Sequence, residues 1–187
     1  MITSYSDTLT FPLVTLGFPL IVCLYLDEEK TGQIKNLFKY SIFWAIGYVW
    51  MWASKWLLTD IFTDNNTIND ALQTVMQRTD KADSNLISGF LSVIKANISP
   101  YANWSFFICV AISGLLVLFY LLKNKNNRIN ISNAFPFLII VIYPFAWWFL
   151  TQNQSSEHWV FTCRIFSISI FAILASIESI IKKSKDI

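Results

Sequence analysis

Three ionisable residues stand inside long apolar stretches, where a charge is costly unless it has a partner or a function. The first, Lys55, follows Trp44, Tyr48 and Trp52 at helical spacing, so one helix face would carry a cation beside aromatic rings. That arrangement suits a cation–π contact or an anionic ligand. It equally suits a lysine that reaches the membrane interface within an aromatic belt, and the sequence leaves both interpretations open.

Arg164 is the second such residue, and it shares a predicted helix face with Glu157. His158, the only histidine of the chain, stands next to Glu157. Because the guanidinium fork gives phosphate two parallel charge-assisted bonds, this group could hold a phosphate or a sugar hydroxyl. Alternatively, Arg164 pairs with Glu157 for structure alone. The third residue, Glu178, lies one turn from Lys182 and indicates a solvated helix end.

Other chemistry finds little support in the spacing of residues. The three cysteines lie in apolar blocks without metal-ligand spacing. A lone histidine cannot supply the three or four ligands of a zinc site. The aspartates between residues 59 and 103 show no specific carboxylate pairing, and five glycines leave little room for a phosphate-cradling loop. We therefore predict no metal site, no cofactor and no nucleic-acid partner.

The elements that must position these residues are apolar blocks. The chain is 55% hydrophobic and 14% charged, whereas a soluble domain carries roughly a quarter charged residues. A membrane span needs about 20 apolar residues. The sequence therefore predicts an all-α, polytopic transmembrane bundle, a single domain over residues 1–187. About five spans are expected, at 9–26, 37–58, 104–122, 135–150 and 160–181.

The first and fourth blocks are the shortest, and both contain prolines. Pro12 and Pro19 fall in the first, and Pro136 and Pro144 in the fourth. Because proline bends or breaks a helix, each block could be a re-entrant helix instead of a span.

The basic residues indicate an orientation. The segments 27–39, 123–133 and 182–187 carry three each, the long segment 59–103 carries three, and the segments 1–10 and 151–159 carry none. The positive-inside rule places the nine on the cytoplasmic side. We expect a bacterial plasma-membrane protein with its N-terminus outside and its C-terminus in the cytoplasm, the lipid bilayer being its first partner.

The outer segment 59–103 predicts two amphipathic helices. Thr67, with Asp70 three residues later, is typical of a helix start, and a second apolar stripe follows Asp83 and ends at Pro100. These helices could lie on the membrane surface or cap the bundle.

Four stretches carry a family likeness: DTLTFP and LGFPL between residues 7 and 20, GYVWMWASKW at 47–56, Arg78-Thr79, and YPFAWW, NQS, His158, Phe161-Thr162 and Arg164 between 143 and 164. Together they resemble the C-terminal half of large bacterial multi-pass membrane proteins that accompany cell-surface polysaccharide synthesis. Those proteins are similar to C-type glycosyltransferases, which take sugars from polyprenyl-phosphate donors at the outer membrane face. The resemblance covers nearly the whole chain.

The resemblance implies a role for each candidate residue. Enzymes of this family carry their catalytic acid in the first outer loop, which would precede Met1, and no outer acid motif is recognisable here. We therefore expect the C-terminal part of a longer protein, with no catalytic residue of its own. The cations would face the donor phosphate or the acceptor and stabilise charge on the leaving phosphate. They are Lys55, Arg78, His158 and Arg164, and the aromatic lining would be Tyr48, Trp52 and Trp147.

Two other functions stay open, so enzymatic activity is undecided from the sequence. The proline-broken blocks would suit a transporter or flippase portion, because interrupted helices often line transport sites. A non-catalytic membrane scaffold subunit is the third possibility.

Overall fold

A computed structural model describes residues 12–27, 32–63, 67–81, 85–123 and 131–181. Every regular element in these ranges is helical, which confirms the all-α class. Three 3₁₀ turns, Ser99–Tyr101, Ile131–Ala134 and Cys163–Ile165, accompany the helices. In chain order the helices are α1 Leu13–Leu26, α2 Gln33–Phe62, α3 Thr67–Thr79, α4 Leu86–Ile98, α5 Trp104–Lys123, α6 Phe135–Val141, α7 Tyr143–Leu150, α8 Gln152–Glu157, α9 Trp159–Thr162 and α10 Phe166–Ile181.

Each predicted apolar block contains helix, with different bounds. α2 exceeds the predicted 37–58 at both ends, and α1 begins at Leu13, while residues 9–11 of the first block lie outside the described residues. The fourth block divides at Ile142 into α6 and α7. Pro144 explains the division, because its nitrogen cannot donate to the carbonyl of Ile140 and its ring crowds that oxygen.

The described residues contain one helical stretch that is long and apolar enough to cross a membrane, Trp159–Ile180. A second qualifies if Leu86–Tyr101 and Trp104–Leu116 form one span, but these two differ in direction by 80°. Leu13–Leu26 and Phe135–Leu150 are apolar but shorter. Because the core helix of a soluble protein can meet the same criterion, the five-span bundle remains a proposal, which we take up below.

The apolar core lies where α1, α6 and α10 pack together. Its buried side chains include Leu16, Leu20, Ile21 and Leu24 of α1, Phe137 and Ile140 of α6, and Ile168, Ala172 and Ala175 of α10. Small residues let these helices approach closely. At Gly17, an added Cβ would stand 2.5 Å from Cγ2 of Ile168, closer than real Cβ atoms come to other heavy atoms.

Hydrogen bonds between polar side chains link the helices at a few points. The indole nitrogen of Trp44 donates to the hydroxyl of Thr15 at 3.2 Å, and the Ser41 and Tyr143 hydroxyls lie 2.9 Å apart. At the other end of the core, the Tyr25 hydroxyl donates to the carboxylate of Glu178. The sequence paired Glu178 with Lys182 instead, and Lys182 lies outside the described residues.

The Gly17–Ile168 approach gives a stability prediction. We expect Gly17→Ala to destabilise the protein by about 1–3 kcal/mol, since the new methyl group overpacks a fully formed contact. Thermal unfolding in detergent would measure the loss. Gly114→Ala is the matched control, because nothing lies within 4 Å of a Cβ added there, and it should be neutral or stabilising.

A double variant can show whether the destabilisation by Gly17→Ala comes from the contact with Ile168. Gly17→Ala combined with Ile168→Ala should be less destabilised than the sum of the two single variants, because removing the Ile168 side chain makes room for the methyl group. Strict additivity would contradict the packing explanation.

Candidate functional site

A cluster of buried polar side chains joins α4 to the stretch Thr151–Thr162. Asn97 of α4 is fully buried, and its Nδ2 donates to the carbonyl of Ser155 at 2.9 Å and to that of Val93 at 3.0 Å. Its Oδ1 accepts from the Thr162 hydroxyl at 2.6 Å. The amide therefore satisfies both of its polar ends inside apolar surroundings, where an unpaired polar group would be costly.

The local sequence explains why α8 is a short, separate helix. Thr151 (φ −120°, ψ 50°) and His158 (φ −111°, ψ 32°) interrupt the helical backbone at its two ends. The Thr151 hydroxyl donates to the carbonyl of Trp147 at 2.8 Å and lies 2.9 Å from the Ser155 hydroxyl. Side chains of this kind offer the backbone an alternative to helical hydrogen bonding, so a run of them favours a break.

Arg78 is brought to this stretch by Asn153. The backbone nitrogen of Asn153 donates to the carbonyl of Asp80 at 3.1 Å, and its side chain donates to that of Gln77 at 3.1 Å. These two bonds satisfy carbonyls that the end of a helix leaves without an intrahelical partner. They hold the last turn of α3, with Arg78, against α8.

His158 and Arg164 follow on the same chain segment, and both side chains are exposed. His158 ends α8, and its carbonyl accepts from the nitrogens of Phe161 and Thr162. The Arg164 guanidinium lies 5.8 Å from the centre of the Phe161 ring, within cation–π range. The structure thus gathers Arg78, His158 and Arg164 around the stretch from Thr151 to Ile165.

Lys55 lies elsewhere, on α2. Its ammonium stands 5.8 Å from the Trp52 ring and 5.2 Å from the Trp56 ring, which is cation–π geometry. The Thr67 hydroxyl donates to the carbonyl of Trp56 at 3.2 Å, so Lys55 is close to the first turn of α3. Arg78 is eleven residues further along that helix, roughly 16 Å. Lys55 therefore lies near the start of α3, whereas Arg78 lies at its end.

The three predicted lining aromatics take different positions. Tyr48 is buried and stacks on Trp44 with ring centres 4.9 Å apart, while Trp52 is half-buried beside Lys55. Trp147 is half-buried against the apolar core. Its indole nitrogen is buried without a hydrogen-bond partner among the described residues.

Asp60 fixes the start of α3. Its carboxylate accepts from the Thr67 nitrogen at 2.7 Å and also from the Thr67 hydroxyl. The hydroxyl bond is the main reason that the pKa of Asp60 lies below its usual range, and it outweighs partial desolvation, which acts in the opposite direction. The aspartate thus caps α3 from the last turn of the preceding helix, seven residues before Thr67.

Sequence reasoning missed the buried cluster. No pattern in the sequence assigned a role to Asn97 or Gln152. The available signal was the run of hydroxyl and amide residues from Thr151 to Ser156, directly after an aromatic block. Gln152 is 1% exposed; its Nε2 donates to the carbonyl of Leu86 at 3.3 Å, and its Oε1 finds no partner in the described part of the chain.

In the described residues, fold and site together define an all-α protein in which Arg78, His158 and Arg164 lie on or beside the segment Thr151–Ile165. No protein-family model, no curated protein and no solved structure matches the chain. The function is therefore argued from the residues.

The Asn97 cluster gives a second prediction. Asn97→Ala removes the buried bonds to the Ser155 carbonyl and from the Thr162 hydroxyl, which keeps only the longer bonds to the Ser155 and His158 carbonyls. We expect a loss of about 1–3 kcal/mol. Unfolding in detergent and limited proteolysis between α7 and α10 would report the loss. Asn85→Ala is a matched control, since the exposed Asn85 side chain does not cap α4. Equal stability of the two variants would contradict a structural role for the cluster.

Proposed function

We propose that this chain is the membrane-embedded part of a glycosyltransferase-like protein of cell-surface polysaccharide synthesis, which binds a polyprenyl-phosphate-linked sugar at the outer face. The observation that carries the membrane placement is α5. Its ten residues from Phe107 to Leu116 are all exposed, and all but Ser113 and Gly114 carry apolar side chains. A helix that is apolar on all sides is stable inside a protein core or inside a bilayer.

The length of α5 supports the bilayer. Its 20 residues extend roughly 30 Å, which is about the thickness of the hydrocarbon core. Lys123 ends the helix, and Lys125 and Arg128 follow in the sequence, as the positive-inside rule expects of a cytoplasmic end.

α2 supports the same placement. It has 30 residues, or roughly 45 Å, which matches a bilayer with its headgroup layers. α2 is not among the helices that are long and apolar enough to cross a membrane. It is rich in tryptophan and tyrosine, which lower its apolarity and prefer the membrane interface to the hydrocarbon. Large exposed apolar side chains cover its outward face; they include Phe38, Ile42, Phe43, Ile46, Val49 and Trp50.

The remaining spans of the five-span bundle are α1, the α6–α7 pair, and α9 with α10. α1 and α6 contribute to the core beside α10, so each can cross as part of a packed unit. With this arrangement α3, α4 and the segment Thr151–Ile165 lie at the outer end. Arg78 on α3, and His158 and Arg164 on that segment, then lie at the membrane surface.

A polyprenyl-phosphate sugar fits such a position, as the family resemblance implies. Its tail remains in the hydrocarbon, and its phosphate and sugar extend to the depth of the outer cations. Arginine binds phosphate through two parallel charge-assisted hydrogen bonds. Because no acid is assigned to the chemistry, the role supported for this chain is binding and charge stabilisation.

The transporter or flippase alternative receives less support from the fourth block. Transport sites use unwound backbone whose carbonyls coordinate the substrate. Between α6 and α7 only Ile142 is interrupted, and its nitrogen donates to the Ile139 carbonyl while its own carbonyl accepts from Ala146. The backbone at this break is therefore already satisfied.

The membrane placement of α5 can be tested by one substitution. Ile112→Arg should sharply lower the amount of folded protein recovered in membranes, since an arginine at the centre of a span costs about 2.5–3.5 kcal/mol on insertion scales. Ser105→Arg, at the outer end of the same helix, should be tolerated. If α5 faces water, Ile112→Arg replaces an exposed side chain at no cost and both variants accumulate equally.

Binding can be tested with the chain reconstituted in lipid nanodiscs and a radiolabelled polyprenyl-phosphate sugar. We expect Arg78→Ala and Arg164→Ala to weaken binding roughly 10- to 100-fold, the value of a hydrogen bond to a charged group. Lys55→Ala should have a smaller effect, because Lys55 lies at the other end of α3. Lys35→Ala, which removes an exposed cation at the start of α2, controls for net charge. Unchanged binding in both arginine variants would contradict the proposed site.

A further inference from the structure

We propose that α4 lies flat in the outer interface of the bilayer, with one flank in the headgroup–acyl boundary. This inference rests on the membrane placement proposed above. The angle at the corner between α4 and α5 is the first argument: Leu86–Tyr101 and Trp104–Leu116 differ in direction by 80°. Spanning helices tilt by about 20° on average, so a helix at 80° to α5 lies within roughly 30° of the membrane plane.

The inward side of α4 is already occupied. Gly89, Val93 and Asn97 recur every fourth residue along this side and are buried. Asn97 binds the Ser155 carbonyl and the Thr162 hydroxyl, and Phe90 beside it packs edge-on against Phe149 of α7. This contact fixes the rotation of α4 about its own axis, so its other sides point in determined directions.

The two remaining flanks differ in chemistry. One is apolar: Ile87 is 73% exposed and Leu91 is 59% exposed. The other flank is polar and consists of Ser88 and Ser92. Lys95 lies between the two flanks. Successive residues are about 100° apart around a helix, so the polar flank lies about 100° from the apolar flank, and both lie away from the inward face. A helix in a membrane interface needs this division between acyl chains and water.

Continuity with α5 identifies lipid as the occupant of the apolar flank. The corner leads into Trp104, which is 81% exposed, and then into Phe107, which is also exposed. Tryptophan at the start of a span is typical of the headgroup level. The exposed apolar surface thus continues from Ile87 and Leu91 around the corner to α5. Lys95 can extend its ammonium to lipid phosphates while its stem stays on the apolar side.

The test is a depth measurement on the full chain in vesicles of phosphatidylcholine with phosphatidylglycerol. Cys23, Cys109 and Cys163 are first replaced by alanine. Single nitroxide labels are then attached through Ile87→Cys, Leu91→Cys, Ser92→Cys and Ile112→Cys, and relaxation by oxygen is compared with relaxation by a water-soluble nickel chelate. We expect the labels at 87 and 91 to favour oxygen, at about 5–10 Å below the phosphates. The label at 92 should favour nickel, and the label at 112 should lie deepest.

Each other outcome overturns a specific statement. If labels 87 and 91 respond to nickel as label 92 does while label 112 stays deep, the interfacial position of α4 is wrong and the membrane placement of α5 stands. If labels 87 and 91 are shielded from both reagents, a protein surface covers the flank instead of lipid, and the inference again fails. If label 112 responds to nickel, the membrane placement of α5 fails and the inference fails with it.

Discussion

The side-chain amide of Asn97 connects two stretches of chain that are far apart in the sequence, α4 and the segment of α8 and α9. It binds Ser155 in α8 and Thr162 in α9 from a buried position on α4. In water such a bond contributes little, because each group could bind solvent instead. Within apolar surroundings no solvent competes, and an unpaired amide would be costly. This part of the molecule therefore depends on polar groups that satisfy one another, and Asn97 and Asn153 hold the segments that carry Arg78, His158 and Arg164.

Apolar periodicity was enough to predict helices and not enough to predict their partners. Thr67 marks the start of α3 as expected, and all five apolar blocks contain helix. The sequence did not show which helices pack, because the same apolar side chain can face lipid or a neighbouring helix. It also did not show that Ile68, Leu72 and Met76 of α3 point outward while Ala71 is buried. Burial there follows from Asn153 and Asp60 holding the two ends of the helix.

The candidate site was predicted in part. Arg78, His158 and Arg164 were chosen for charge and resemblance, and the structure carries them on neighbouring elements. Lys55 was grouped with them because a charge in an apolar stretch is costly without a partner or a function. In the structure Trp52 and Trp56 are its partners, through cation–π contacts within α2. Whether either group binds a ligand stays a proposal. The spacing of residues could not identify Asn97 and Gln152 as parts of a buried cluster. Their role depends on burial, and the sequence around a single polar residue does not show whether that residue is buried.

Small and polar residues mark several of the contacts between helices in this chain. α1 meets α10 at Gly17, Ala172 and Ala175, and the Ser169 hydroxyl donates to the Val141 carbonyl of α6 at 2.8 Å. α5 is as apolar as α10, yet the described side chains of its middle are exposed. In water, two helices of equal apolarity would both gain by burial. In lipid, apolar surface gains nothing by leaving one hydrocarbon for another, so close packing and hydrogen bonds decide which helices associate. The contrast between α5 and α10 therefore supports the membrane placement proposed above.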